Sequence, residues 1–167
     1  LIKKEEAELS NLEENIEVEN SKTEYKILRP NLFISALRTI AENKDKDYPQ
    51  LIFEIGAIFK NSKSKSEETG IQEERRLIVA AAPANITKIK QILDYFTNQL
   101  NLSYEIKESI NPQCVEGRTA SIYMNNKQVG FMGELHPETL QKWNIKMPIS
   151  VLEISLEEIF DSISKKS

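Results

Sequence analysis

The sequence has a single cysteine, Cys114, and a single histidine, His136, in 167 residues. One cysteine closes no internal disulfide, so a reducing, cytoplasmic setting is expected. The pair is also too few for a soft-metal site, which needs several convergent ligands. No apolar run approaches the ~18–20 residues that span a bilayer, so no membrane association is expected. The charged run after Leu1 leaves no signal peptide in view. The five glycines stand at 56, 70, 117, 130 and 133, and neither a Rossmann fingerprint nor a P-loop can be written with them. A basic excess is missing as well: 22 Lys+Arg face 26 Asp+Glu, for a net charge of −4. Residues 1–24 hold three lysines and eight glutamates, while residues 25–167 are balanced at 19 basic and 18 acidic. A module that grips a nucleic-acid backbone needs clustered cations, so direct RNA binding by this chain is disfavoured.

What is present is globular: 40% apolar and 29% charged residues, at a length that suits one domain with its own core. The chain opens without Met, inside a charged amphipathic stretch, and is expected to be a fragment of a longer protein. Residues 1–24 read as a charged, partly helical N-terminal segment and residues 25–167 as the domain proper.

Periodicity gives the elements. Residues 3–14 predict a short, largely solvated helix, and Ile16–Val18 an edge strand. From Arg29-Pro30-Asn31 a helix runs to about Asn43, with Pro in its first turn and Asn as cap. Residues 50–60 (QLIFEIGAIFK) are apolar on both faces, which predicts a central strand covered on each side. Residues 61–74 read as a mobile polar loop, and Leu77–Ala82 as a second buried strand. Ile86, Ile89, Leu93, Phe96 and Leu100 mark a core-facing helix. Tyr104–Glu108 follows as a strand, and Arg118–Met124 and Gln128–Glu134 form a hairpin across Asn125-Asn126-Lys127. His136-Pro137 opens a helix to Trp143, Ile149–Ile154 is a last strand, and Ser155-Leu-Glu-Glu158 is a capping box before a final helix. Hairpins outnumber crossovers, so the fold class is α+β with a mainly antiparallel sheet.

The chemistry-bearing residues mostly have structural readings. Gly130-Phe-Met-Gly133 matches a bare GxxG, but within a hairpin strand without basic flanks it reads as close packing. Cys114 and His136 would have to meet to make a nucleophile, and nothing in their spacing demands it. His136 before Pro137 reads as a helix-start residue bonding locally, and Arg118 after Gly117 as a structural ion pair. Glu54, set in an apolar strand, needs a buried partner. One feature exceeds a structural need. In Leu32–Ala41 seven of ten residues are apolar and fill an arc of roughly 200°, twice what packing on one sheet requires. The surplus is covered either by a partner chain, the reading favoured here, or by the N-terminal helix or the 61–74 loop.

Five segments then line up. Tyr25-Lys-Ile-Leu-Arg-Pro-Asn-Leu-Phe-Ile-Ser-Ala-Leu, Leu51-Ile-Phe-Glu-Ile-Gly56, Gly117-Arg118, Gly130-Phe-Met-Gly-Glu-Leu-His-Pro-Glu138 and Leu152-Glu-Ile154 together resemble the C-terminal, catalytic-like region of the phenylalanyl-tRNA synthetase β subunit of archaeal/eukaryotic type, over roughly residues 16–160. The resemblance implies a class II aminoacyl-tRNA synthetase-like fold. It also implies an (αβ)₂ heterotetramer whose catalytic α subunit handles ATP, Mg²⁺, phenylalanine and the 3′ end of tRNA-Phe. By similarity the helix from Arg29 matches the first class II motif, which builds subunit interfaces. Arg29, Leu32, Phe33, Leu37 and Ile40 are therefore the expected interface, so Leu37→Asp would weaken assembly without unfolding the chain. Glu54, Gly56, Gly117, Arg118, Gly133, His136 and Pro137 are the structural motif residues. The second class II motif needs an Arg shortly before a Glu, yet apolar residues follow Arg75-Arg76. The third needs an Arg late in the chain, and none follows Arg118. No catalytic, cofactor-binding or metal-binding residue is therefore expected in the fragment itself. The rivals are a stand-alone class II-like ligase or amino-acid/nucleotide-binding domain, and an RNA-binding module. Isolated from its partner, the fragment is expected to bury the helical patch in a self-dimer.

Overall fold

The computed structural model describes residues 1–10, 15–62 and 70–165. Nine strands and five helices follow one another among them. The N-terminal layer is β1 (Ile2–Lys3), α1 (Lys4–Leu9), β2 (Ile16–Glu17) and β3 (Tyr25–Leu28). Its strands form a small antiparallel sheet in the order β1-β3-β2. After α2 (Phe33–Glu42) come the long hairpin strands β4 (Gln50–Asn61) and β5 (Ile71–Ala82), then α3 (Ile86–Gln99) and β6 (Glu105–Glu108). The chain continues with β7 (Cys114–Met124), β8 (Lys127–Leu135), α4 (Pro137–Lys142), β9 (Ser150–Ser155) and α5 (Leu156–Ser164). The large sheet runs β4-β5-β9-β8-β7-β6, antiparallel throughout. The fold is α+β, as the hairpin-rich pattern indicates.

Several local signals act as read. Asn85 caps α3, its Oδ1 accepting from Lys88 N at 3.1 Å. Asn125 and Asn126 both adopt positive φ, 51° and 62°, and close the β7–β8 hairpin where Met124 pairs with Lys127. This left-handed turn suits the twist of the flanking strands, and Asn tolerates it better than other non-glycine residues. Ser155 Oγ accepts from Glu158 N at 3.3 Å. The Glu158 carboxylate leaves the reciprocal capping role and takes Lys127 instead, at 2.5 Å.

Each face of the large sheet has its own core. On one face Ile58, Ile78, Ala80, Ala82, Leu135 and Val151 pack with α2 and α4 residues and with Ile2, Ala7 and Ile27. On the other, Leu77, Ala120, Ile122, Met132, Leu152 and Ile154 pack with Ile89 and Leu93 of α3 and Ile159 of α5.

Four expectations change. The helix expected from Arg29 begins at Phe33, because Leu32 is its N-cap and Arg29 lies outside it. The helix expected over residues 3–14 is described only as Lys4–Leu9, with residues 11–14 outside the described residues; Lys4, Glu5 and Glu8 are exposed, while Glu6 and Ala7 are buried. The 61–74 loop is shortened at both ends, since β4 runs to Asn61 and β5 starts at Ile71; residues 63–69 lie outside the described residues. The largest change concerns β4, which is an edge strand and not a central one. Among the described residues no helix covers its far face, and there Leu51, Phe53 and Ile55 stand 60%, 74% and 59% exposed.

The surplus apolar arc of α2 is covered from within. Leu32, Ile34, Leu37 and Ile40 are fully buried and Phe33 nearly so, in one cluster with Ile2, Ala7 and Ile27 of the N-terminal layer. Arg38 of α2 also donates to both carboxylate oxygens of Glu6 on α1, at 3.1 Å each. The partner-chain reading of this arc, and with it Leu32, Phe33, Leu37 and Ile40 as an exposed interface, gives way to the chain's own N-terminal cover.

Candidate functional site

The polar residues singled out in the sequence fall into two places. The first is the start of α2 where it crosses β4, β5 and β9. Arg29, just after β3, lies along β4. Its Nη1 reaches Glu54 Oε1 at 2.5 Å and Ser35 Oγ at 3.0 Å, and its Nε donates to the carbonyl of Ala57 at 2.9 Å. Gly56 is required by this approach, since a Cβ there would collide with Arg29 Nη2. Glu54 thus has the charged partner that its apolar strand demanded.

Beside this pair sits a cluster the sequence reading missed. Glu153 on β9 is wholly buried, and its Oε2 accepts from Leu32 N at 3.2 Å. It supplies the cap that the Leu32 side chain cannot, placing an acceptor on the orphan N–H groups at the positive end of α2. Arg76 Nη1 stands 3.6 Å from Glu153 Oε1, an ion pair without a hydrogen bond, and that oxygen has no hydrogen-bond partner. Arg76 is also held by Glu74, at 3.0 Å. Burial pushes the Glu153 carboxyl up to about 7, against the opposing pull of Arg76 and of the α2 N–H groups. Burial acts the same way on Glu74, but Arg76, Ser155 and Lys60 outweigh it and hold that carboxyl below its ordinary value. The only local signal for Glu153 was a lone acid in the apolar Leu152-Glu-Ile154, the same signature that marked Glu54.

The second place is the far end of the sheet. Gly117, at φ 72°, lies where β7 shifts register between Cys114 and Thr119. Arg118 pairs with Glu134 at 2.7 Å. Gly133 leaves room for Cys114, whose Sγ would be 2.8 Å from a Cβ there. His136 is the N-cap of α4, its Nδ1 accepting from Glu138 N at 3.2 Å, with Pro137 opening the helix. Cys114 pairs with Leu135 across the ladder, so it lies near His136 in the fold. Burial pushes its thiol up to about 11, and the accepting nitrogen of His136 is occupied, so the two form no nucleophile–base pair.

Chemically, both places are closed. Arg29, Arg38, Arg76 and Arg118, four of the five arginines, are held by carboxylates. Among the described residues no group of three or more His, Cys, Asp or Glu is placed to hold a metal ion, and no helix is long and apolar enough to cross a membrane. Beside the first place lie the exposed apolar stripe of Leu51, Phe53 and Ile55 and a groove of about 470 Å³ between α2 and β4 lined by Ala36, Thr39, Ile52, Glu54 and Ile78.

Residues 1–156 match the family model for the phenylalanyl tRNA synthetase beta chain CLM domain. The chain belongs to the phenylalanyl-tRNA synthetase beta-chain family. It is 32% identical over 146 residues to a phenylalanine–tRNA ligase beta subunit from Thermococcus onnurineus (strain NA1), covering 87% of this chain and 26% of the relative. The beta subunit of Pyrococcus abyssi (strain GE5 / Orsay) is 32% identical over 149 residues, 89% of this chain and 27% of its own length. That of Archaeoglobus fulgidus is 34% identical over 140 residues, 84% and 24%. The chain therefore spans about a quarter of the beta subunits it matches. The family match starts at residue 1, so it takes in β1 and α1, the cover of α2, along with the large sheet.

Proposed function

We propose that this chain is the C-terminal, catalytic-like module of a phenylalanine–tRNA ligase β subunit, with a class II synthetase-like sheet and no chemistry of its own. In the whole enzyme, a cytoplasmic (αβ)₂ heterotetramer, the α subunit would join phenylalanine to tRNA-Phe using ATP and Mg²⁺. The β module would order and support the α subunit. One observation carries the non-catalytic reading: the arginines that lie where a phosphate could be met are already neutralised. Adenylate formation develops negative charge that fixed, unpaired donors must stabilise. Arg29 and Arg76 instead face Glu54, Glu74 and Glu153, and a carboxylate-lined site repels a triphosphate. The residues do not fit ATP or the Mg²⁺ that accompanies it, and both are assigned to the α subunit.

Two measurements test this. Titration of the purified chain with ATP and with phenylalanine should release no saturable heat, and no adenylate should form. Co-expression with the α subunit of the same source should yield a complex that survives purification. Adenylate made by the chain alone would replace the proposal with a stand-alone ligase. Salt-sensitive binding of tRNA to the chain alone would replace it with an RNA-binding module.

A further inference from the structure

A chain of hydrogen bonds runs from the start of α2 to the start of α5, on opposite faces of the large sheet, and it is broken at one point. At the α2 end, Leu32 N donates to Glu153 Oε2 at 3.2 Å. Further along, Arg76 donates twice to Glu74, Nε to Oε1 at 3.1 Å and Nη2 to Oε2 at 3.3 Å. Glu74 also takes the Ser155 hydroxyl, and Ser155 Oγ accepts in turn from Glu158 N, capping α5. A hydroxyl has one hydrogen to give and lone pairs to receive, so both bonds stand together. The register gathers these groups: Arg76 pairs with Ser155 and Ile78 with Glu153, which puts Glu74, Arg76, Glu153 and Ser155 on one face. The break is the 3.6 Å between Arg76 Nη1 and Glu153 Oε1, the oxygen with no partner. A guanidinium and an ionised carboxylate hydrogen-bond at about 2.7–2.9 Å. The wider gap fits a neutral acid, whose unbonded hydroxyl costs far less in the interior than an unbonded charge.

We propose that Glu153 and Arg76 form a proton-operated switch that couples the start of α2 to the start of α5. With Glu153 neutral, Arg76 is committed to Glu74 and the two helix starts are independent. Loss of the proton leaves a buried charge on Oε1, and Arg76 Nη1 closes the gap. Arg76 then divides its donors between two carboxylates. Glu74, less well neutralised, draws harder on the Ser155 hydroxyl, and the change reaches the α5 cap. At the other end the ionised Oε2 tightens on Leu32 N. Burial brings this change to a pH of about 7. The other charges around Glu153 are already paired. On β4, Lys60 is held by Glu74 and Glu54 by Arg29. The first turn of α2 holds no charged residue, Phe131 faces Glu153 from β8, and Glu158 of α5 is held by Lys127. Among the described residues Arg76 is therefore the cation left to answer a charge on Glu153. The proton exits past Arg76 and Glu74, the partly exposed side of the cluster. This inference stands apart from the ligase reading, because it uses only these buried groups.

Amide NMR of the purified chain, followed as the pH is raised through neutrality, reads both ends of the switch. The Leu32 and Glu158 amide signals should shift together, with one shared midpoint of about 7, and both shifts should vanish in Glu153→Gln. Arg76→Lys keeps the charge but replaces the planar fork by a single ammonium. In that variant Leu32 should still titrate, while Glu158 should lose most of its shift. Infrared difference spectra over the same interval should show one carboxylic-acid carbonyl band disappearing, and Glu153→Gln should lack it, which keeps the test open if the lysine variant misfolds. A Leu32 signal that does not move, or a carbonyl band that is absent, would overturn the switch. So would a Leu32 shift with Glu158 unmoved, or a Glu158 shift that Glu153→Gln or a folded Arg76→Lys variant leaves at full size.

Discussion

Replacing Glu153 by glutamine tests the buried cluster under α2 directly. Glu153→Gln keeps an amide oxygen for Leu32 N and removes the titrating charge. In the native chain burial raises the carboxyl from an ordinary 4.5 to about 7, so the folded state binds its proton more tightly than the unfolded state does. Between pH 4.5 and 7 the folded chain holds more protons, and its stability falls as pH rises. A shift of this size at ~1.4 kcal/mol per unit means that ionised Glu153 costs the fold about 3 kcal/mol above pH 7 relative to its neutral form. The glutamine variant lacks this dependence. Urea unfolding followed at closely spaced pH values should therefore give two curves that diverge from pH 4.5 and become parallel above pH 7. The variant should gain about 3 kcal/mol on the native chain across that window. Below pH 4.5 the native carboxyl is protonated in both states, and the gap should stay constant. Curves parallel from pH 4 to 8 would refute the argument, because they would mean that Arg76 and the α2 N–H groups fully offset the desolvation.

Two further substitutions probe the same region. Leu37→Asp places a charge where the side chain is fully enclosed by the chain's own residues; it should cost about 4 kcal/mol or more and abolish a cooperative urea transition. A folded Leu37→Asp variant with wild-type stability would return α2 to the list of exposed interfaces. Gly56→Ala drives a methyl into the Arg29 guanidinium, and losing the Glu54 and Ala57 contacts should cost about 1–3 kcal/mol. In an Arg29→Ala background the same change should cost little, and equal penalties in both backgrounds would dissociate Gly56 from Arg29.

Where the local chain carries the information, the sequence was readable. The spacing of Ile86, Ile89 and Leu93 made α3, Asn125-Asn126 made the β7–β8 turn, and His136-Pro137 and Ser155 began their helices, because each device acts within a few residues. The two main departures concern surfaces. The apolar arc of α2 asked for a second cover, and the sequence offered a partner or the N-terminus without a local reason to choose. Ile2 pairing with Ile27 decided it. On β4 both faces are apolar, which in sequence is the mark of a buried strand, but covering a strand takes neighbours that the strand does not encode.

By itself, then, the sequence determined the family, the α+β class and most of the elements. These follow from residue type and short-range period. Only the tertiary structure decided which apolar face is open and which carboxylate is trapped. β9 pairs between β5 and β8, which leaves β4 at the rim, and the contact of Glu153 with Leu32 joins residues 121 apart in the chain. Both outcomes depend on long-range pairing, where burial is set by what arrives from elsewhere in the chain and not by the residues themselves.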